Sequence, residues 1–339
     1  MDSPKLNIAV IGLGFMGATH LKAWRDVPSA RLHAVVDADP RRLTGDLSSV
    51  GGNLGGPGER FDFSNVRTCQ SLDEALADRA VDAVDICLPT DQHAVTAMAA
   101  FRAGKHVLTE KPIALDVATA EALCREAEVS SRILMAAHVL RFFPAYVKLA
   151  DSVRERAPVR YAFFRRRAAA PVWSPWLRNP ARSGGAILDM LIHDADYCIS
   201  LWGMPESVRA RGHFDPERGT DIIHAELFYP GLGPVVIDGG WYGPKSYPFS
   251  MEFAVITDEG TLEWSSGAND FREHTAEGES RSVELGDADP FVAELAYFTD
   301  CAANGVQPDR CPPAQSAMAV SLIARLLESR EKNGERIQC

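Results

Sequence analysis

Apolar and polar positions in the first 137 residues follow two alternating rhythms. The segments "NIAVIG" (7–12), "RLHAVVDAD" (31–39), "VDAVDICLPT" (81–90), "KHVLTE" (105–110) and "RILMAA" (132–137) are short apolar runs of strand length. Between them, "FMGATHLKAW" (15–24), "SLDEALAD" (71–78), "QHAVTAMAAFRA" (92–103) and "VATAEALCREAEVS" (117–130) repeat at helical spacing. Ser71 with Glu74 has the spacing of a capping box, Asp91 and Asp116 stand as caps, and Gly104 stands as a stop. This alternation predicts a parallel sheet with helices on both faces. "GGNLGGPGE" (51–59) interrupts the rhythm without phosphate-loop spacing and reads as a flexible surface loop.

Beyond residue 140 the grammar changes. "PAYVKLADSVRER" (144–156) and "SGGAILDMLIHDADYCISLWG" (183–203) read as helices, and "VRYAFFRRRA" (159–168) as a strand. Six strand-like runs follow with no helix between them, at 207–214, 221–230, 234–243, 249–257, 260–266 and 281–286, so their sheet is expected to be largely antiparallel. Two helices, 289–305 and 312–334, close the chain. The fold class is thus a doubly wound α/β domain followed by an α+β domain with an open sheet. The expected boundary separates 1–137 from 138–339, with the last helices free to pack back on the first domain.

Composition narrows the function. The chain has 339 residues, 46% hydrophobic and 24% charged, as in ordinary soluble proteins. A net charge of −11 argues against nucleic acid or an anionic membrane as partner. Seven scattered cysteines with no Cys-x-x-Cys pair read as reduced core thiols, which points to the cytoplasm. "MDSPKLNIAVIGLG" lacks the shape of a leader, and no run reaches the roughly 18 apolar residues of a membrane span.

The first chemical motif is "IAVIGLGFMGATH", with Gly12, Gly14 and Gly17 in G-x-G-x-x-G spacing after a strand and before a helix. Gly12 serves the tight turn, Gly14 the approach of a pyrophosphate, and Gly17 helix–strand packing, with Phe15 and Met16 beside them. Asp37, at the end of the second strand, is placed to accept from the adenosine ribose, which favours NAD; Arg41 and Arg42 keep NADP open. The second motif, "TEKPIALD", puts Lys111 just past a parallel strand, before a Lys-Pro bond that is a candidate for the cis form.

The glycine loop, "CLPTDQHA" (Pro89, His93), "EKP" (Glu110, Lys111, Pro112) and "GGAILDMLIHDAD" occur in that order and resemble the Gfo/Idh/MocA oxidoreductases over nearly the whole chain. The resemblance implies a Rossmann domain, a C-terminal α+β domain, a sugar, polyol or cyclitol substrate, and a homodimer or homotetramer built through the second sheet. It implies cofactor contacts from Pro89, His93, Glu110 and Lys111, and catalytic roles for Lys111, Asp189 and His193. The inositol dehydrogenase branch carries two arginines where this chain has Leu140 and Arg141, a departure that leaves inositol itself open.

Three readings compete for the helix at 183–203. At about 100° per residue, Asp189, His193 and Asp196 share a face and Asp194 points away. A metal site would need further ligands, with His138, His213 and His224 as the available histidines; no metal is expected. An acid/base pair needs only His193 with Asp189 to orient it, and Lys111 to stabilise the alkoxide. The plain alternative is a wet helix face, which suits Asp194; Asp196 is open between a structural bond and support of the site. Gly184 and Gly185 suit a close approach of backbone to ligand. Arg141, Trp176 and Tyr242 are candidate substrate contacts. Arg165 and Arg167 fall on one face of their strand and Arg166 on the other, as an anion site or an interface.

The expected function is hydride transfer between NAD(P) and a secondary hydroxyl or ketone of a sugar or cyclitol. The alternatives are an enzyme with tightly held NADP coupling two sugar redox steps, a non-catalytic nucleotide or sugar sensor, and a metal-dependent aldolase or hydrolase.

Overall fold

The structure, a computed structural model, describes residues 5–52, 58–155 and 158–339. Residues 53–57 of the glycine-rich stretch lie outside that range. The chain divides into two compact units, Met1–Val139 with Ala288–Ala317 and Leu140–Asp287 with Met318–Cys339.

In the first unit the elements run β1 (Leu6–Ile11), α1 (Phe15–Trp24), β2 (Ala30–Val36), β3 (Arg67–Cys69), α2 (Leu72–Leu76), β4 (Ala83–Ile86), α3 (His93–Arg102), β5 (His106–Glu110), α4 (Val117–Ser130) and β6 (Leu134–Ala137). The six strands form one parallel sheet in the order β3-β2-β1-β4-β5-β6. That order reverses direction between β1 and β4, and ligands of such sheets bind past the carboxyl ends of the strands at this point. β4 and β6 are buried along their full length, which explains their unbroken apolar runs.

The caps divide. The Asp116 carboxylate accepts from the Thr119 N–H at 2.9 Å, and Gly104 (φ +74°) ends α3 with its N–H on the Phe101 carbonyl at 2.8 Å. Asp91 does not cap α3: it sits inside a 3₁₀ turn, Thr90–Gln92, and the helix starts at His93 with no side-chain cap. Ser71 is the N-cap residue of α2, but its hydroxyl donates to the Glu74 carboxylate at 2.8 Å.

The second unit runs α5 (Pro144–Glu155), β7 (Val159–Ala168), α6 (Pro180–Ser183), a π-helical turn (Ile187–Leu191), α7 (Ile192–Trp202), β8 (Ser207–Asp215), β9 (Thr220–Phe228), β10 (Val235–Tyr242), β11 (Ser250–Thr257), β12 (Gly260–Ser265), β13 (Phe271–Thr275) and β14 (Ser280–Val283). The chain closes with α8 (Pro290–Asn304), α9 (Pro313–Glu331) and β15 (Ile337–Gln338). Nine strands pair as β14-β13-β12-β11-β7-β10-β9-β8-β15, all antiparallel except β7 with β10.

One face of this sheet is packed and the other is partly open. On β7, Phe164, Arg166 and Ala168 are buried while Tyr161, Phe163, Arg165 and Arg167 are half-buried. Tyr146 of α5 and Tyr197 of α7 meet edge-on at 4.9 Å over that packed face, with Phe253 of β11 at 5.2 Å from Tyr146. Among the described residues no helix is long and apolar enough to cross a membrane.

Candidate active site

In the first unit the glycine loop takes the shape its residues were expected to serve. Gly12 has φ +95°, and a Cβ there would lie 2.8 Å from the Cys87 carbonyl oxygen. At Gly17 a Cβ would fall 1.9 Å from the Gly12 oxygen, so only glycine lets α1 start this close to β1. At Gly14 a Cβ meets nothing within 4 Å. Gly14, Phe15 and Met16 are the accessible part of the turn, and α1 begins there with no side-chain cap. Bare N–H groups beside open space are what a phosphate needs, so these residues fit a dinucleotide.

Asp37 follows β2 and is 9% exposed. Its Oδ2 accepts from the Leu13 N–H at 2.8 Å and from Arg42 Nη1 at 3.2 Å, and its Oδ1 accepts from the Asp39 N–H at 2.8 Å. Arg41 turns away onto Asp39.

Pro89 lies half-buried past the end of β4. His93 is buried, with Nε2 2.7 Å from the Leu88 carbonyl and Nδ1 2.7 Å from the Pro112 carbonyl. Both ring nitrogens are therefore taken up by main chain. His93 staples two loops together through its ring and does not cap α3 through its side chain. Burial pushes its pKa down, and the two carbonyls offset this only in part. The Lys111–Pro112 peptide is cis. Glu110 is 6% exposed; its Oε2 accepts the Lys111 main-chain N–H at 3.0 Å, and its Oε1 lies 3.3 Å from His20 Nε2. Burial alone would raise Glu110; His20, then Lys111 and His93, override it, and the acid titrates below its ordinary value.

In the second unit, Asp189 falls in the π-helical turn and His193 in α7. A π turn bonds i to i+5, so the uniform α-helical wheel does not relate Asp189 to the residues after 191; such turns recur at functional sites. From Gly185 to Ile199 every residue is buried except Asp189 and His193. Asp194 and Asp196 are fully buried and ion-paired. Asp194 meets Arg166 at 2.9 and 3.2 Å, and Asp196 meets Arg141 at 2.8 and 2.7 Å. Asp194 is thus not on a wet face. Arg141 is 6% exposed and held at two points by Asp196. Burial pushes the Asp194 pKa up, and Arg166 offsets this only in part.

Gly184 and Gly185 make close approaches, but to the protein itself. A Cβ on Gly184 would meet Leu188 at 2.3 Å, and one on Gly185 would meet Asp221 Oδ2 at 2.8 Å. Asp221 accepts from the Ala186 N–H at 2.7 Å and from Arg330 at 2.6 Å, which anchors the start of the helical stretch.

Trp176 is half-buried in the loop between β7 and α6. Trp241 packs on Ala186 and Met190, whereas the next residue, Tyr242, stacks on Tyr247 at 5.1 Å with Arg167 5.7 Å from its ring. Strand alternation therefore puts Tyr242 on the open face with Arg165 and Arg167, away from the helix that carries His193. A cavity in this unit is lined by Arg178, Gly185, Phe214, Asp221 and Trp241, among others, and by neither Asp189 nor His193. His213 and His224 stand exposed on β8 and β9, and His224 contacts Asp238 at 3.1 Å. Among the described residues the one group with metal-ligand spacing is His20, Asp85 and Cys87.

Comparison with known proteins now bears on this geometry. Residues 6–138 match the family described as "Oxidoreductase family, NAD-binding Rossmann fold", and residues 158–263 match the "GFO/IDH/MocA C-terminal domain". A scyllo-inositol 2-dehydrogenase (NAD(+)) of Bacillus subtilis is 30% identical over 327 residues, 90% of this chain and 88% of that protein. The chain belongs to the Gfo/Idh/MocA family. A 1,5-anhydro-D-fructose reductase of Ensifer adhaerens is 34% identical over 181 residues, 52% of this chain and 50% of that protein. The alignments with four of these relatives span only 49% to 58% of their lengths. A levoglucosan dehydrogenase, solved with NADH and levoglucosan, shares the fold with a TM-score of 0.83 at 18% identity, covering 98% of this chain and 99% of that one.

Within this Gfo/Idh/MocA chain, sequence reasoning passed over His20, Asp85 and Asp221. An acid inside the apolar run "AVDI" and a histidine three residues after Gly17 were the available signals.

Proposed function

We propose that this protein moves a hydride between a nicotinamide cofactor and a secondary hydroxyl or ketone of a sugar, cyclitol or sugar derivative. The observation that carries the reading is the pattern of exposure along residues 185–199, where a buried helical stretch leaves only Asp189 and His193 accessible. Two accessible polar groups in an otherwise dry element suit chemistry better than solvation. In this reading His193 takes or returns the hydroxyl proton, Asp189 orients it, and Lys111 stabilises the developing alkoxide charge. The nicotinamide, when bound, supplies the hydride acceptor or donor. The Gly12–Gly17 turn holds the pyrophosphate, with Pro89 and Glu110 at neighbouring strand ends. The experiment is a panel of sugars and cyclitols with NAD and with NADP, read by nicotinamide absorbance. Cofactor binding with no turnover on any of them would favour the sensor reading instead.

NAD is the favoured cofactor because Asp37 presents a carboxylate where NADP carries a phosphate. Asp37→Ser is expected to weaken NAD binding about 10- to 100-fold, the worth of hydrogen bonds to a charged acceptor, and to improve NADP relative to NAD. Titration of each cofactor by fluorescence measures both. An unchanged NAD:NADP ratio would count against the assignment.

The open face of the nine-stranded sheet carries Tyr161, Phe163 and Ile256, the last 40% exposed. We propose that copies of the chain pair through it. Light scattering on the eluting protein should give a dimer or tetramer, and Phe163→Glu with Ile256→Glu should give monomer. A wild-type monomer at micromolar concentration would refute the pairing.

A further inference from the structure

We propose that His20 is a positioning residue: it clamps Glu110, and through Glu110 the main-chain N–H of Lys111, to the helix that follows the glycine loop. The proposal rests on the oxidoreductase reading, which gives Lys111 its role.

His20 lies on α1, three residues after Gly17, and is fully buried. Its Nδ1 is 2.9 and 3.0 Å from the two Asp85 oxygens, and its Nε2 is 3.3 Å from Glu110 Oε1. Asp85 also accepts from Trp24 Nε1 at 2.8 Å, and Glu110 accepts from the Lys111 N–H at 3.0 Å. One unbroken chain of contacts therefore runs Trp24, Asp85, His20, Glu110, Lys111. It joins α1, β4 and β5, the elements that present the glycine loop, the Pro89 loop and the lysine.

The chemistry of the ring explains the arrangement. An imidazole donates from both nitrogens only when it carries both protons. Here Nδ1 is hydrogen-bonded to Asp85, while Nε2 lies 3.3 Å from the Glu110 carboxylate outside hydrogen-bond geometry; the Glu110 end of the clamp is therefore an ion-pair contact, which calls for a ring that carries both protons. Two buried carboxylates with no cation between them would each meet a heavy desolvation cost. The groups that face His20 are Asp85 and Cys87 from the end of β4 and Glu110 from β5, with the Phe291 ring of α8 at 6.2 Å. Burial alone would push His20 down; the Asp85 carboxylate reverses this and holds it well above its ordinary value. Burial keeps Cys87 a protonated thiol. His93 grips the next residue of the same turn through the Pro112 carbonyl, so the lysine's backbone is held from both sides.

The same Nδ1, carboxylate and thiol lie within 4.8 Å of one another, a spacing compatible with a metal ion in place of the protons. The 2.9–3.0 Å separations between Nδ1 and the Asp85 oxygens, and the Trp24 donor on that carboxylate, favour the protonated ring.

The test is His20→Gln, with Asp85→Asn as a second variant that keeps the shape and removes the charge. In cofactor-free protein, exchange of the Lys111 amide hydrogen is expected to speed up about tenfold or more, since its acceptor is released. With substrate, kcat is expected to fall about 10- to 100-fold while KM for the cofactor stays within about twofold, because a displaced lysine costs turnover and not dinucleotide binding. Nitrogen NMR of the wild type should show both His20 ring nitrogens protonated at pH 8. Lys111→Ala in the same series separates the two levels. If it turns over normally, the role given to Lys111 fails, and the amide exchange still decides the clamp. If it is inactive while His20→Gln matches wild type in exchange and kcat, the clamp is overturned. A neutral His20 at pH 8, or one metal ion per chain whose removal reproduces the variant, overturns it as well; should His20→Gln not fold, Asp85→Asn and the NMR decide.

Discussion

Replacing His193 by alanine is expected to lower kcat about 100- to 10,000-fold, the range a positioned acid/base contributes, with cofactor binding unchanged. His193 sits in the second unit and none of the dinucleotide-loop residues do, so a loss confined to turnover is the signature of a chemical role. Lys111→Ala is expected to cost about 100- to 1,000-fold, as removal of a preorganised electrostatic donor does. The pH profile adds a second reading. A histidine acting as base imposes a limb on the pH profile, and that limb should vanish in His193→Ala while the residual rate rises only with hydroxide. Asp189→Asn keeps the shape and a hydrogen bond but not the charge, so its loss should be smaller than that of His193→Ala. Steady-state turnover on the best substrate of the panel, from pH 5 to 10, measures all three. Unchanged turnover in His193→Ala would remove the acid/base assignment. Activity that survives a chelator would remove the metal-dependent aldolase or hydrolase.

Much of this was legible in the sequence because it depends on local rules. The parallel sheet followed from apolar runs alternating with helical periods, and Gly12 and Gly17 of the loop have the close backbone contacts their spacing requires. What sequence could not show was pairing between distant segments. Asp194 looked like a solvated residue because its partner, Arg166, is 28 positions away on β7. Nothing local to Arg141 reveals its partner Asp196, 55 positions on. Nor does anything local to His93 reveal that its ring bridges the Leu88 and Pro112 carbonyls, the second 19 positions on. The π turn at Ile187–Leu191 breaks the wheel that grouped Asp189 with His193 and Asp196, yet both Asp189 and His193 remain accessible while Asp196 is buried. The edge strand β3 and the inner strand β13 went unread; three and five residues long, they offer too little alternation to register.

Asp194→Ala is expected to destabilise the second unit by about 3–5 kcal/mol, the usual cost of leaving one member of a buried ion pair without its partner. Arg166 and Asp194 have side chains 5% and 0% exposed, so no water replaces the lost carboxylate. The other groups near Arg166 cannot compensate. Met251 Sδ, at 3.2 Å, and the Tyr146 hydroxyl are neutral groups, and Arg166 stays charged at any working pH. Arg160 and Asp258 supply the contrast: they approach to 2.6 Å with side chains 58% and 49% exposed, and Asp258→Ala should cost far less, because solvent screens the pair. Replacing both members together, Arg166→Met with Asp194→Leu, removes the stranded charge and should recover most of the loss. Denaturant melts of the four proteins compare the costs, and equal midpoints for Asp194→Ala and Asp258→Ala would refute the argument. Function follows from the same pair. Asp194 is the residue after His193, and Arg166 fixes it near the C-terminal end of β7, so the pair sets where α7 stands on the sheet. The double variant should therefore fold and yet turn over more slowly than wild type, because two apolar side chains fill the space without prescribing the rotation that aims His193.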